Sequence, residues 1–263
     1  MYLIWAKFAI FHFLAGRKIL HWLMRNSAPY QPLWLRILHG VSGILAITAI
    51  ITGFLVYNTF DKRFGQVPIG KIEPIQDIHG TVALFFLLVL PAFALYSFHA
   101  GENRLLPPDL IRKLTQVGKP IWWASLQRIV NTLMLIASAL AVISGRMMKE
   151  EWLPLGELDH LWYYFHLIAW VIMVGCLAIH LLMSAKVGGA PLLLSMLSWQ
   201  YRPADSPRNW YSRLQSWWSN FTLNFSGGIN QLINRNFSLR VIEIFVLVGI
   251  ITAFTLPLFF SGD

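Results

Sequence analysis

The sequence predicts an all-α membrane protein: a four-helix transmembrane bundle, a fifth transmembrane helix and interfacial amphipathic segments. Three observations carry this expectation. The 263 residues are 56% hydrophobic and only 13% charged, about half the charge of an ordinary soluble domain. Five apolar runs are each long enough to cross a bilayer as a helix. Histidines also sit inside those runs, at positions where ionisable groups are costly and tend to serve function.

Residues 1–32 form the first expected unit. Wound as one helix, Lys7, Arg17, Lys18, His21 and Arg25 gather on one side, the pattern of a helix lying in the headgroup plane. A disordered basic tail is the alternative. Pro29 and Pro32 close the unit, and no cleavable leader is evident. Spans follow at about 33–57, 78–98, 121–148 and 161–185, giving a bundle domain over 33–185. Residues 186–238 read as a basic, Trp-rich membrane-surface segment. The fifth span and its tail occupy 239–263.

Sixteen of the twenty-one Lys and Arg residues fall on the N-terminal side and in the loops after spans two and four. This bias predicts an N-terminus inside, a C-terminus outside and a place in the bacterial cytoplasmic, or another energy-transducing, membrane. The formal charge of +9 then reflects cytoplasmic loops and contact with anionic membrane lipid. No nucleic-acid motif accompanies it. The single cysteine, Cys176, excludes an intrachain disulfide, a thiolate-bound cluster and covalently attached haem.

His166 and His180 lie fourteen residues apart in span four. That is about 40° short of four turns, so both leave nearly the same face, roughly 21 Å apart along the axis. Depth then pairs the histidines. His39 opens span one at the inner side, level with His180. His79 opens span two at the outer side, level with His166. Each pair comes from two helices at one depth, as bis-imidazole ligation of a haem requires. His12, His21, His99 and His160 fall off these stripes and read as surface or interfacial residues.

Short side chains are needed where a porphyrin packs against a helix. Gly43 stands one turn beyond His39, and Gly53 lies on the same stripe at the outer depth. Asn131 and Gly145 in span three repeat the spacing of fourteen. Small residues also mediate plain helix contacts in membranes. Arg36, one turn before His39, suits an inner haem propionate or equally the inside bias in basic residues.

Taken together, Arg36-x-x-His39, His79, the Gln127-Arg128 pair and His166-x13-His180 followed by Leu-Leu-Met-Ser-Ala resemble the di-haem cytochrome b family. This family comprises bacterial cytochrome b561 and the nickel-hydrogenase cytochrome b group, including the gamma subunit of formate dehydrogenase. The resemblance covers roughly residues 33–185. It implies two non-covalent b haems, one on His39 and His180 and the other on His79 and His166. It also implies electron transfer between a dehydrogenase or iron–sulfur subunit and a quinone beside the inner haem, with Gln127 as a neighbour of that quinone.

The expected function is therefore an electron-transfer subunit rather than a stand-alone enzyme. Two other readings compete. One is a self-contained cytochrome b561-type oxidoreductase acting on a small reductant or superoxide. The other is a haem-free scaffold or transporter, which a b-type optical spectrum would exclude.

Overall fold

The computed structural model describes residues 30–223 and 237–260. The interfacial segment expected over 1–32 therefore lies almost wholly outside the described residues. Among the described residues, five helices are long and apolar enough to span a membrane. They are α1 (Leu33–Phe60), α2 (Ile75–His99), α4 (Pro120–Met147), α6 (Leu161–Ser195) and α8 (Phe237–Phe260). Shorter helices lie between them: α3 (Leu110–Leu114), α5 (Trp152–Leu155) and α7 (Trp210–Leu223). No strand occurs among the described residues.

The long segments are helical because only a helix satisfies its own backbone groups within an apolar layer. Large side chains such as Ile44, Leu88, Val171 and Ile251 stay exposed on the outer faces, where a bilayer would cover them. Successive spans run antiparallel and pack as two hairpins, α1 with α2 and α4 with α6. Helices α1 and α6 face each other with few close backbone approaches.

The larger of the two apolar core clusters among the described residues is not in the middle of the four-helix bundle. It lies behind it, where Phe86, Leu90, Ala94 and Phe98 of α2 meet Leu135 and Ala139 of α4 and Val246, Ile250 and Ala253 of α8. A Cβ on Gly249 would stand 2.7 Å from Ile143 Cδ1, so that position lets α8 approach α4 closely. Buried Glu243 of α8 meets His99 of α2 at 3.0 Å. His99 stands half exposed at the end of α2, as a surface or interfacial residue is expected to, and also helps to tie the fifth helix to the bundle.

Two further elements depart from expectation. Helix α6 continues past 185 to Ser195, with a break at Gly189 (φ 62°, ψ −166°) just before Pro191. Glycine tolerates that backbone, and the proline ring cannot continue the hydrogen-bond ladder. Beyond it, the basic end of the bundle is strapped. The Arg36 guanidinium is buried and donates to the carbonyls of Ser198 and Gln200. Tyr30 bonds Asp205, and Trp34 packs edge-on against Trp210.

At the opposite end, a polar clamp joins the end of α1 to the start of α6. Buried Asp61 accepts from Arg63 Nε and from the Tyr163 hydroxyl, both at 2.7 Å. Arg63 also reaches Asp159 and Tyr164. Burial pushes the Asp61 carboxyl up, but the hydrogen bonds from Arg63 and Tyr163 outweigh it and hold the group below its ordinary value of 3.8. The clamp is thus fully formed above that value and is lost as pH falls through the lower, folded-state value. Asp61→Asn is expected to lower the melting temperature at neutral pH by about 2–4 °C. It should also flatten the acid limb of the stability profile, both read by thermal unfolding in detergent across pH.

Candidate functional site

The four span histidines predicted from spacing come together as two pairs. His39 of α1 faces His180 of α6, and His79 of α2 faces His166 of α6. In both pairs the ring centroids are 6.0 Å apart. No hydrogen bond joins the two rings of either pair among the described residues. Two imidazoles that bind one metal from opposite sides, each nitrogen about 2 Å from it, place their centroids about 6 Å apart. The separation is thus one at which each pair of rings would hold a metal between them.

Three of the four rings are oriented by a bond to Nδ1. The Thr52 hydroxyl donates to the Thr48 carbonyl at 2.8 Å, leaving an oxygen lone pair 2.9 Å from His79 Nδ1. Ser144 donates likewise to Leu140 and stands 3.1 Å from His166 Nδ1, which also meets the Ala141 carbonyl at 3.1 Å. Asn131 donates its amide to the Arg104 carbonyl at 3.0 Å, so its oxygen is the atom 2.8 Å from His180 Nδ1. In each case the partner is an acceptor, so Nδ1 carries the proton and Nε2 keeps its lone pair for a metal. Among the described residues His39 has no such bond; it lies edge-on to Phe93, with centroids 6.2 Å apart.

Space beside the rings is kept by glycine. A Cβ on Gly53 would come within 3.2 Å of His79 Cε1, and one on Gly145 within 3.3 Å of His166 Cε1. Gly43 opens onto free space on the His39 side. The outer pair borders a cavity of about 1130 Å³ that also touches Phe54, Tyr57, Ala141 and Trp170. That is room for a large planar cofactor. No cluster of three or more His, Cys, Asp or Glu metal ligands occurs among the described residues. Two imidazoles alone leave a bare ion short of ligands, but they complete the coordination of iron already held in plane by a macrocycle.

The family model described as prokaryotic cytochrome b561 matches residues 30–199. The chain belongs to this family. No curated protein and no solved structure matches it. Family membership makes the chain an integral membrane b-type cytochrome that works in electron transfer. The paired imidazoles, their set tautomers and the cleared space fit a b haem.

Other predicted residues occupy supporting positions. The Gln127 amide donates to Ser184 at 3.0 Å, tying α4 to α6 one turn from His180. Arg36 donates its two terminal nitrogens to the carbonyls of the strap, while its buried Nε has no partner among the described residues. Sequence spacing flagged Asn131 and Gly145 only as small or polar residues. Thr52 and Ser144 gave no signal, because serine and threonine in a span usually bond back to their own helix, as both also do. Gly145→Val would drive a branched side chain into the His166 ring. It is expected to lower haem per chain severalfold, as measured by the pyridine haemochrome spectrum, with protein yield as the control.

Proposed function

We propose that the chain is a transmembrane di-haem cytochrome that carries electrons across the bilayer between a redox partner subunit and the quinone pool. The observation that carries this reading is the repetition of one geometry. Two histidine pairs, fourteen residues apart on α6, have the same 6.0 Å ring separation. His39 and His180 hold the haem at the basic end, and His79 and His166 hold the haem at the opposite end. A bound b haem supplies a one-electron ferric–ferrous couple.

The chain's residues do the rest. Thr52, Ser144 and Asn131 fix ligand tautomers and tune the imidazoles as donors. Gly53 and Gly145 keep the outer slot clear. Arg146 and Lys149 line the same cavity and make no ion pair among the described residues, so they are the cations for its propionates. Apolar walls keep water out of the slots and favour the less charged state of the site. Gln127 and Ser184, next to the basic-end pair, form the side at which a quinone would accept electrons. The bias in Lys and Arg supports an orientation with that end, and the N-terminus, inside the cell. The partner subunit, with an iron–sulfur or dehydrogenase centre, serves the other end.

A reduced-minus-oxidised spectrum of the purified chain should show a b-type α band with about two haems per polypeptide. His180→Leu and His166→Leu should each remove about half of it, from different spectral components. A chain without a b-type band, or one in which neither substitution lowers haem content, overturns the assignment.

A further inference from the structure

Trp170 lies nine residues into α6, about 13 Å from the helix start. Tryptophan is favoured at the membrane interface, not at that depth. A buried indole N–H also needs an acceptor. Here it donates across the bundle to the Ile50 carbonyl of α1 at 2.9 Å. Its ring stacks on Phe54, with centroids 6.4 Å apart and planes 22° apart. A Cβ on Gly53 would lie 3.5 Å from Trp170 Cδ1.

These contacts converge on one turn of α1. Ile50 accepts from Trp170, Thr52 bonds His79, Gly53 leaves room for both rings, and Phe54 stacks on the indole. The turn thus holds one residue from α2 and one from α6. Trp170 is one turn beyond His166 on α6, so fixing Trp170 against α1 fixes where His166 stands relative to His79. Few other close approaches join α1 to α6.

We propose that Trp170 is a positioning residue for the outer slot: a strut that sets α6 against α1 and so holds the His79 and His166 imidazoles at ligating separation. The inference rests on the two-slot reading given above. The strut acts through the ligands and does not itself bind iron. Its N–H holds the register of the two helices, and its ring keeps them apart.

The test uses the haem-loaded full chain. Trp170→Phe keeps an aromatic ring but removes the donor; Trp170→Leu removes both. Haem transfer to a scavenging apoprotein gives the loss rate from each slot, and the low-spin electron paramagnetic resonance signal reports axial ligand geometry. One interhelical hydrogen bond corresponds to an effect of about threefold to fifteenfold. Trp170→Phe is expected to speed loss from the His79/His166 slot by about that factor and to shift its low-spin signal. Loss from the His39/His180 slot should stay within twofold. Trp170→Leu should exceed Trp170→Phe; if it fails to accumulate, Trp170→Phe decides alone. Wild-type loss and an unchanged signal in Trp170→Phe overturn the strut, as does equal acceleration at both slots. A wild-type chain carrying fewer than two haems overturns the two-slot reading instead, a result visible before any variant is made.

Discussion

The structure depends on keeping two pairs of imidazoles facing each other without touching inside an apolar bundle. Left to themselves, buried polar rings close on any available partner, because an unsatisfied donor in a dry interior is costly. Three of the four rings are restrained by partners on Nδ1 that are themselves committed elsewhere: Thr52 to Thr48, Ser144 to Leu140 and Asn131 to the Arg104 carbonyl. Each anchor is a helix backbone or loop carbonyl, so ring orientation is inherited from secondary structure. What remains unpaired is the Nε2 lone pair that a haem iron uses.

The same requirement explains where the apolar core sits. A bundle packed tightly along its central axis would leave no slot. The close packing is displaced to the α2–α4–α8 side, where Ala94, Ala139, Gly249 and Ala253 let helices approach. Helix α8 therefore supports the wall that carries His79 and Ser144, while carrying no histidine of its own. The ends are closed by polar ties instead of core: Arg36 to the 198–200 carbonyls at one end, and the Asp61–Arg63–Tyr163 clamp at the other. Both ties involve α1, which makes few close backbone approaches to α6 across the slot. They hold it in place while its middle stays open.

Much of this is legible in the chain itself. Apolar length gives the five spans, because a bilayer admits helices with little regard to detail. Spacing gives the histidine pairs, because helix periodicity and antiparallel succession convert residue number into depth. Gly53 is visible as a small residue in phase with His39, and Gly145 as one at the same spacing of fourteen from Asn131. The supporting hydroxyls are not, since a serine or threonine in a span looks the same whether or not it also serves a neighbour. His99 does stand at the surface, but its tie to Glu243 is not legible, because that partner is more than a hundred residues away on a helix outside the predicted bundle.

Sequence by itself determined the membrane class, the number of spans and which four histidines share depth and face. These are properties of single helices in an apolar solvent, and one-dimensional periodicity contains them. Tertiary structure alone decided the 6.0 Å gap between paired rings, the acceptors that set their tautomers, the use of Arg36 as a strap anchor and the tie from Trp170 to Ile50. Each depends on how far apart two helices stand and which backbone carbonyl faces which side chain. That separation arises from the sum of packing on all sides, including the fifth helix, and no local pattern in the sequence encodes it.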